Sequence, residues 1–344
     1  MMSRFSKNFI IIFFTVTLLV TVIISITLGK YSISFIDGIN YLSAVFKGEN
    51  IADNEKLSNI ETVIFQVRMP RIIAALLIGA ALSVSGAMLQ SIFANPLVSP
   101  GIMGVLSGAS FGAAFGIITF SSWALVQLST LLFGVSALLF SLLVAFIYRS
   151  TSTLMLVLGG MISGAFFNAL LSIVKLTADP NNDELASIVF WLMGSLAMID
   201  SSDILLKAGI PIILLLIISL FFGKILNILA MGDEEAKSLG VNTLYYKIVI
   251  LIISTFLASL TVVMAGNIGW IGLIIPHIAR MIIGPDNRYL LTFSAILGGL
   301  FLLICDTFVR NLFAYEIPLG IITSIIGLIV FILVLKNSSK GWHS

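Results

Sequence analysis

Histidine and cysteine are almost missing from this chain of 344 residues, which has two histidines, His277 and His343, and a single cysteine, Cys305. One cysteine excludes an intrachain disulfide and a thiolate metal cage, and two histidines exclude a multi-histidine metal site. Charge is scarce as well: Asp, Glu, Lys and Arg together make up 10% of the residues, with a formal net charge of +2. That is too little for the surface of an ordinary soluble domain, and no nucleic-acid partner is expected. No Gly-x-x-x-x-Gly-Lys-[Ser/Thr] phosphate loop occurs anywhere, so the chain does not bind ATP by that route.

What remains is apolar, with 59% hydrophobic residues and a mean hydropathy of +1.15. The reading is an all-α polytopic membrane protein, because a helix of about 20 apolar residues satisfies its own backbone groups in lipid. Ten candidate spans lie near 8–29, 70–93, 101–120, 123–148, 153–176, 203–229, 245–265, 271–284, 289–309 and 317–335. The eighth is short, and the break at 95–101 is apolar enough for membrane depth, so eight or nine full spans is the alternative count. Arg4 and Lys7 precede the first run in the manner of a secretory signal, but the run is too long and lacks a small-x-small cleavage pattern. It reads as an uncleaved anchor. The short loops on the N-terminal side of the membrane carry almost only Lys and Arg, apart from Asp286 and one acidic stretch. By the positive-inside rule both termini are cytoplasmic.

Ion-coupled transporters place a carboxylate near the bilayer midplane, and no span carries one in its central part. Asp306 and Arg310, near one end of the ninth span, are spaced to pair with each other. A pathway without its own energy source points to an external motor, although a passive channel fits as well. Gly79, Ala80, Ser83, Gly86 and Ala87 form a small-residue stripe on the second span, and Gly104, Gly108, Gly112 and Gly116 recur on the third. Helix packing is the first explanation for both, and a pore lining is the second. Pro70 and Pro318 fall where helices start and a missing N–H costs nothing. Pro96, Pro100 and Pro276 mark breaks at membrane depth, tolerated only inside protein or beside a polar cavity.

The exception to this lipid-like composition is GDEEAKSLGVN, Gly232 to Asn242. Asp233, Glu234 and Glu235 suit a helix first turn and Gly240 suits its end. Either it is a solvated loop or something soluble touches it.

In order, VRMPRIIAALLIGAALSVSGAMLQSIFANPLVSPGIMGVLSGA, WLMGSL, GDEEAKSLGVN, IGWIGLIIPHIARMIIGPDNR, DTFVR and EIPLGIITSIIG resemble the FecCD-type (BtuC-like) permeases of bacterial ABC importers, over roughly residues 60 to 336. The resemblance implies a single transmembrane permease domain over 1–344 in the bacterial cytoplasmic membrane. It implies import of an iron–siderophore chelate, with haem or cobalamin as the alternatives. Implied partners are a second permease chain, identical or sister, two cytoplasmic ATPases holding ATP and Mg, and an extracytoplasmic binding protein. No catalytic residue, cofactor or metal is implied on this chain. Two short coupling helices for the ATPase fall at Gly232, Asp233, Glu234, Glu235, Ala236, Lys237, Ser238, Leu239 and Gly240. Arg68, Arg71 and Arg310 match the arginines that receive the binding protein. Asn95 and Leu97 fall at the inner constriction, and the run Ser150, Thr151, Ser152, Thr153 lies where the family places its other gate residues. The fifth and tenth spans, with a short outer helix in 184–198, are expected to line the pathway. The Pro-His-Ile-Ala-Arg match at His277 favours a structural role.

Overall fold

The computed structural model describes residues 4–338, apart from 32, 48–50, 148–152, 180, 181, 198, 200, 201 and 313–315. Among the described residues every element is a helix. We number them α1 (Arg4–Thr27), α2 (Phe35–Lys47), α3 (Glu55–Ile92), α4 (Val105–Thr119), α5 (Trp123–Ile147), α6 (Thr153–Thr177) and α7 (Glu184–Leu192). There follow α8 (Leu205–Phe221), α9 (Gly223–Leu229), α10 (Asp233–Ser238), α11 (Thr243–Ala265), α12 (Ile271–Ile283), α13 (Asn287–Leu312) and α14 (Leu319–Ser338). Helices α1, α3, α5, α6, α11 and α13 are the 6 long and apolar enough to cross a membrane. The pair α8 and α9 makes one run bent by 58°, and α4, α12 and the Leu319–Ile332 part of α14 are shorter apolar stretches.

The centre of the bundle is the second half of α3, where almost every residue from Pro70 to Ile92 is buried. Lipid tails are as apolar as leucine, so close van der Waals contact rather than exclusion of water holds such helices together. Glycine makes that contact possible. A Cβ on Gly79 would sit 2.2 Å from the Gly298 carbonyl oxygen of α13, and one on Gly86 would sit 1.8 Å from that of Gly272 in α12. On α4, Gly108 and Gly112 lie just as close to the backbone of Phe133 and Ser129 in α5. Both small-residue stripes are packing surfaces. Hydroxyls add cross-helix bonds, with Ser85 donating to the Ser254 carbonyl at 2.9 Å and Ser163 to that of Ala137 at 2.8 Å. Helix α1 lies at the periphery, its Phe14 ring edge-on to Phe293 of α13 at 5.0 Å. Cys305 is buried in α13, 2% exposed.

Three local expectations are corrected. Pro70 lies in the first turn of the regular α stretch Met69–Ile92, as expected, but that stretch is not a separate helix: α3 begins at Glu55 and runs through it, with a wide π turn over Thr62–Arg68 immediately before. There the Met69 N–H donates to the Ile64 carbonyl, five residues back. The wider turn absorbs the donor that proline lacks. Pro211 in α8 is preceded by a π turn too, over Leu205–Gly209. The sixth apolar run is two helices that meet at Phe222, rather than one. The acidic stretch holds one six-residue helix, α10, rather than two, and its neighbour α9 belongs to the apolar bundle.

Candidate functional site

The chain's charges gather at opposite ends of the bundle. At the end where α1 and α13 finish, Arg71 donates from Nε to Asp306 at 2.7 Å and from Nη1 to Glu316 at 2.9 Å. Arg310 meets the other Asp306 oxygen at 3.1 Å, a charge contact rather than an aligned hydrogen bond, and its Nη2 donates to Ser25 Oγ at 2.6 Å. Asp306 is fully buried. Arg68 turns the other way and donates to the carbonyls of Ile26, Thr27 and Tyr31. It thereby satisfies acceptors left open at the end of α1, where a cation is also favoured by the helix dipole. With Arg68 and Arg71 only 3% and 5% exposed, these are not the free guanidinium groups that the family resemblance suggests. Each is committed to this chain, and the Asp306–Arg310 pair expected from i,i+4 spacing is part of a three-helix cluster.

At the opposite end α10 is built as its residues predict. Three carboxylates occupy its first turn. Gly240, at φ +77°, closes it: the Gly240 N–H reaches the Lys237 carbonyl at 2.9 Å and the Val241 N–H that of Ala236 at 3.0 Å, a paired left-handed stop. One face is fixed to the bundle through fully buried Ala236 and through Asp233, whose carboxylate is 2.6 Å from Nζ of buried Lys247 in α11. The other face carries Glu234, Glu235, Lys237, Ser238 and Leu239, all exposed, next to Met231 and Tyr245 at 61% and 59% exposure. Apolar side chains are thus left open beside charged ones at this end of the bundle.

A chain of amides and carboxylates ties the neighbouring α9 to α3, and the sequence reading missed it. Asn227 of α9 donates to Asp286 at 2.7 Å and accepts from the Asn287 backbone at 2.8 Å. Asn287 in turn accepts from Ser91 of α3 at 2.8 Å. The signal was there in Asn227, a lone amide in an apolar run, and in the polar triplet Asp286-Asn287-Arg288. Arg288 clamps Asp286, donating at 2.6 Å from Nη2, and with Asn227 holds that carboxyl well below the usual carboxylate range. A carboxyl depressed in the fold stabilises above its ordinary pKa and loses that contribution only as pH falls through the depressed value. Asp286→Asn is therefore expected to lower the melting temperature at pH 7 and equally at pH 5, the gap closing only at more acid pH; a gap already closed at pH 5 would contradict the clamp.

Four residues after Ser91 the chain turns at Asn95, whose Oδ1 accepts the Leu97 N–H at 2.9 Å. Asn95 and Leu97 are exposed. Ser150, Thr151 and Ser152 lie outside the described residues, and Thr153 is the first residue of α6. His277 and Arg280 line a cavity of about 360 Å³ with Asn95, and Arg280 donates to Gln90 at 3.1 Å. A larger cavity, about 570 Å³, lies against α4, α6 and α12. Another of about 550 Å³ lies against the start of α14. The helix within the 184–198 segment is the nine-residue α7, whose Leu192 lines both.

Comparison with known proteins gives one consistent result. A profile described as the FecCD transport family matches residues 17–337. The molybdate import system permease protein MolB of Haemophilus influenzae is 40% identical over 331 residues, 96% of each chain. The iron(3+)-hydroxamate import system permease protein FhuG of Bacillus subtilis is 34% identical over 350 residues, covering 98% of this chain and 100% of the relative. Among solved structures, an ABC transporter described as of metal-chelate type, in an inward-facing conformation, superposes with a TM-score of 0.85 at 37% identity over 96% of this chain and 99% of its own.

Proposed function

The chain belongs to the FecCD transport family of ABC-importer permeases, and on that premise we propose that it carries an iron–siderophore chelate inward using ATP hydrolysed by a separate subunit. In this reading a second permease, identical or sister, packs beside it in the bacterial cytoplasmic membrane. Two cytoplasmic ATPases hold the ATP and Mg, and a binding protein delivers cargo from outside. Both termini are cytoplasmic, and the long, bent and short apolar helices together make about ten crossings. Molybdate is the second reading, favoured by the MolB relative matched along 96% of both chains.

The observation that carries the proposal is α10. A soluble-type helix is locked to an apolar bundle on one side by Ala236 and the Asp233–Lys247 pair and left open on the other. Such a part transmits a push instead of absorbing it. A motion imposed on α10 passes to α11 through Lys247, and from α9 through Asn227, Asn287 and Ser91 to the end of α3 and the turn at Asn95 and Leu97. That turn, with the hydroxyls of 150–153, is the inner gate in this reading. The alternation between two packings supplies the mechanism, and the energy comes from the partner. A binding protein docks on the end of the bundle that Arg68, Arg71 and Arg310 hold together. Their internal bonds give that end its rigidity, so the guanidinium groups act by fixing the platform.

Glu234→Ala, Glu235→Ala and Leu239→Ala combined remove the open face and keep the Asp233–Lys247 lock. Removing three contacts at an interface centre is expected to lower ATPase co-purification and cargo uptake by about 100-fold. Undiminished co-purification and uptake would make α10 a solvated loop.

A further inference from the structure

The cavities of about 570 and 550 Å³ share Leu192, Asn267, Gly269 and Trp270, so they meet in one groove. Among the described residues Lys175 is the only charged one lining either. Among the described residues it forms no ion pair. Its position on α6 is informative. Asn168, Leu171 and Lys175 are spaced i, i+3 and i+7, one stripe of a helix, and all three line the groove. Ile173 and Leu176, 57% and 85% exposed, point away from that stripe. A lysine that only anchored the helix end at the headgroups would share their face.

The rest of the lining offers neutral hydrogen-bonding groups. Ser107 and Ser110 of α4 present hydroxyls and Asn168 an amide, and the buried Asn267 side-chain oxygen has no partner. The groove wall is also strained. Trp270 has φ +69°, a region that bulky residues avoid. A glycine junction holds it: Gly266, at φ +70°, lies where a Cβ would be 2.1 Å from the Trp191 carbonyl oxygen, and the Gly320 N–H donates to the Met193 carbonyl at 3.1 Å. Strain kept at a cavity wall by backbone packing marks a place where the wall's shape matters.

With the fifth span taken as lining the cargo's path, as the family resemblance implies, we infer that Lys175 in this groove selects cargo bearing net negative charge on oxygen atoms, as a free oxyanion or as an anionic ferric chelate. The inference rests on the importer reading above. One ammonium among hydroxyls and amides attracts an oxygen anion with charge-assisted bonds, while the absence of further cations in the lining lets it leave again. A neutral cargo would strip water from the lysine without compensating its charge.

The test is uptake by the complete importer, permease with its ATPase and binding protein in proteoliposomes, using molybdate, ferric citrate and the uncharged hydroxamate chelate ferrichrome as probes. ATP-dependent uptake of one of the two anions is expected, and which one distinguishes oxyanion from chelate. Lys175→Gln is expected to reduce that uptake at low cargo concentration by about tenfold or more, the loss of one charge-assisted contact. Lys175→Arg is expected to recover most of it, and co-purification with the ATPase shows that each variant is folded. ATP-dependent uptake of ferrichrome, or anion uptake indifferent to Lys175→Gln, overturns this inference alone. A complex that hydrolyses ATP yet takes up none of the probes also overturns this inference, whereas failure of the chain to assemble with the ATPase overturns the importer reading.

Discussion

Asp306→Ala is expected to destabilise the bundle by about 3–5 kcal/mol, the cost of breaking a buried ion cluster by removing one partner. The fully buried carboxylate contacts both Arg71 and Arg310, whose side chains are only 6% and 10% exposed. Without it, among the described residues, Arg310 keeps its bonds to Ser25, and Arg71 keeps Glu316, which is 42% exposed and shared with solvent. Asp306→Asn should fare little better, since it preserves shape and removes charge. The informative comparison is the combined replacement Arg71→Met, Asp306→Leu and Arg310→Met. Two charges paired in a poor dielectric contribute little net stability compared with well-packed apolar groups, so the triple variant is expected to melt above Asp306→Ala. Thermal unfolding in detergent, read by intrinsic fluorescence, decides it. An Asp306→Ala melting point equal to the parent's would show the cluster to be incidental.

Gly86→Val is the second large effect. The Gly272 carbonyl oxygen stands 1.8 Å from the place a Cβ would take, and it belongs to backbone rather than to a flexible side chain. α3 and α12 must move apart by more than an ångström, and α12 carries Arg280, which reaches back to Gln90 on α3 at 3.1 Å. Overpacking of this kind costs about 3 kcal/mol or more where nothing can yield. Loss of a monodisperse peak on size exclusion is expected. Gly38→Ala is the control, because a Cβ there meets nothing within 4 Å; in the helical α2 it is expected to be neutral or to stabilise by about 0.5 kcal/mol. Equal yields of the two variants would refute the close helix contact.

The parts legible in the sequence are those decided locally. Runs of apolar residues mark the helices because each must satisfy its own backbone in lipid, and Gly240 marks the end of α10 because a left-handed residue favours glycine. The glycines of α3 and α4 announce close packing, though not which carbonyl they approach. Legibility fails where a residue's role is set by something distant. Arg68 and Arg71 are matched to docking arginines by the family resemblance, yet the π turn over Thr62–Arg68 ends at the first of them and their partners lie on α1 and α13. Pro70 read as a start signal because a missing donor is harmless there; the structure solves the same problem with a wider turn inside a continuous helix. Asn227 stands out as a lone amide in an apolar run, but nothing local names its partner Asn287, 60 residues away. Lys175 was overlooked for a related reason, since only the fold brings Asn267 to its side of α6.

The burial of Cys305 has a practical consequence. A thiol 2% exposed within α13, and the only one in the chain, is shielded from polar maleimides, so the native permease needs no cysteine removed before site-directed labelling. A single new cysteine at exposed Leu239 would carry a fluorophore or spin label on the open face of α10, and two copies in a dimer would report one distance between them. That distance, followed through the nucleotide cycle, turns the movement of α10 from an inference about force into a measured displacement.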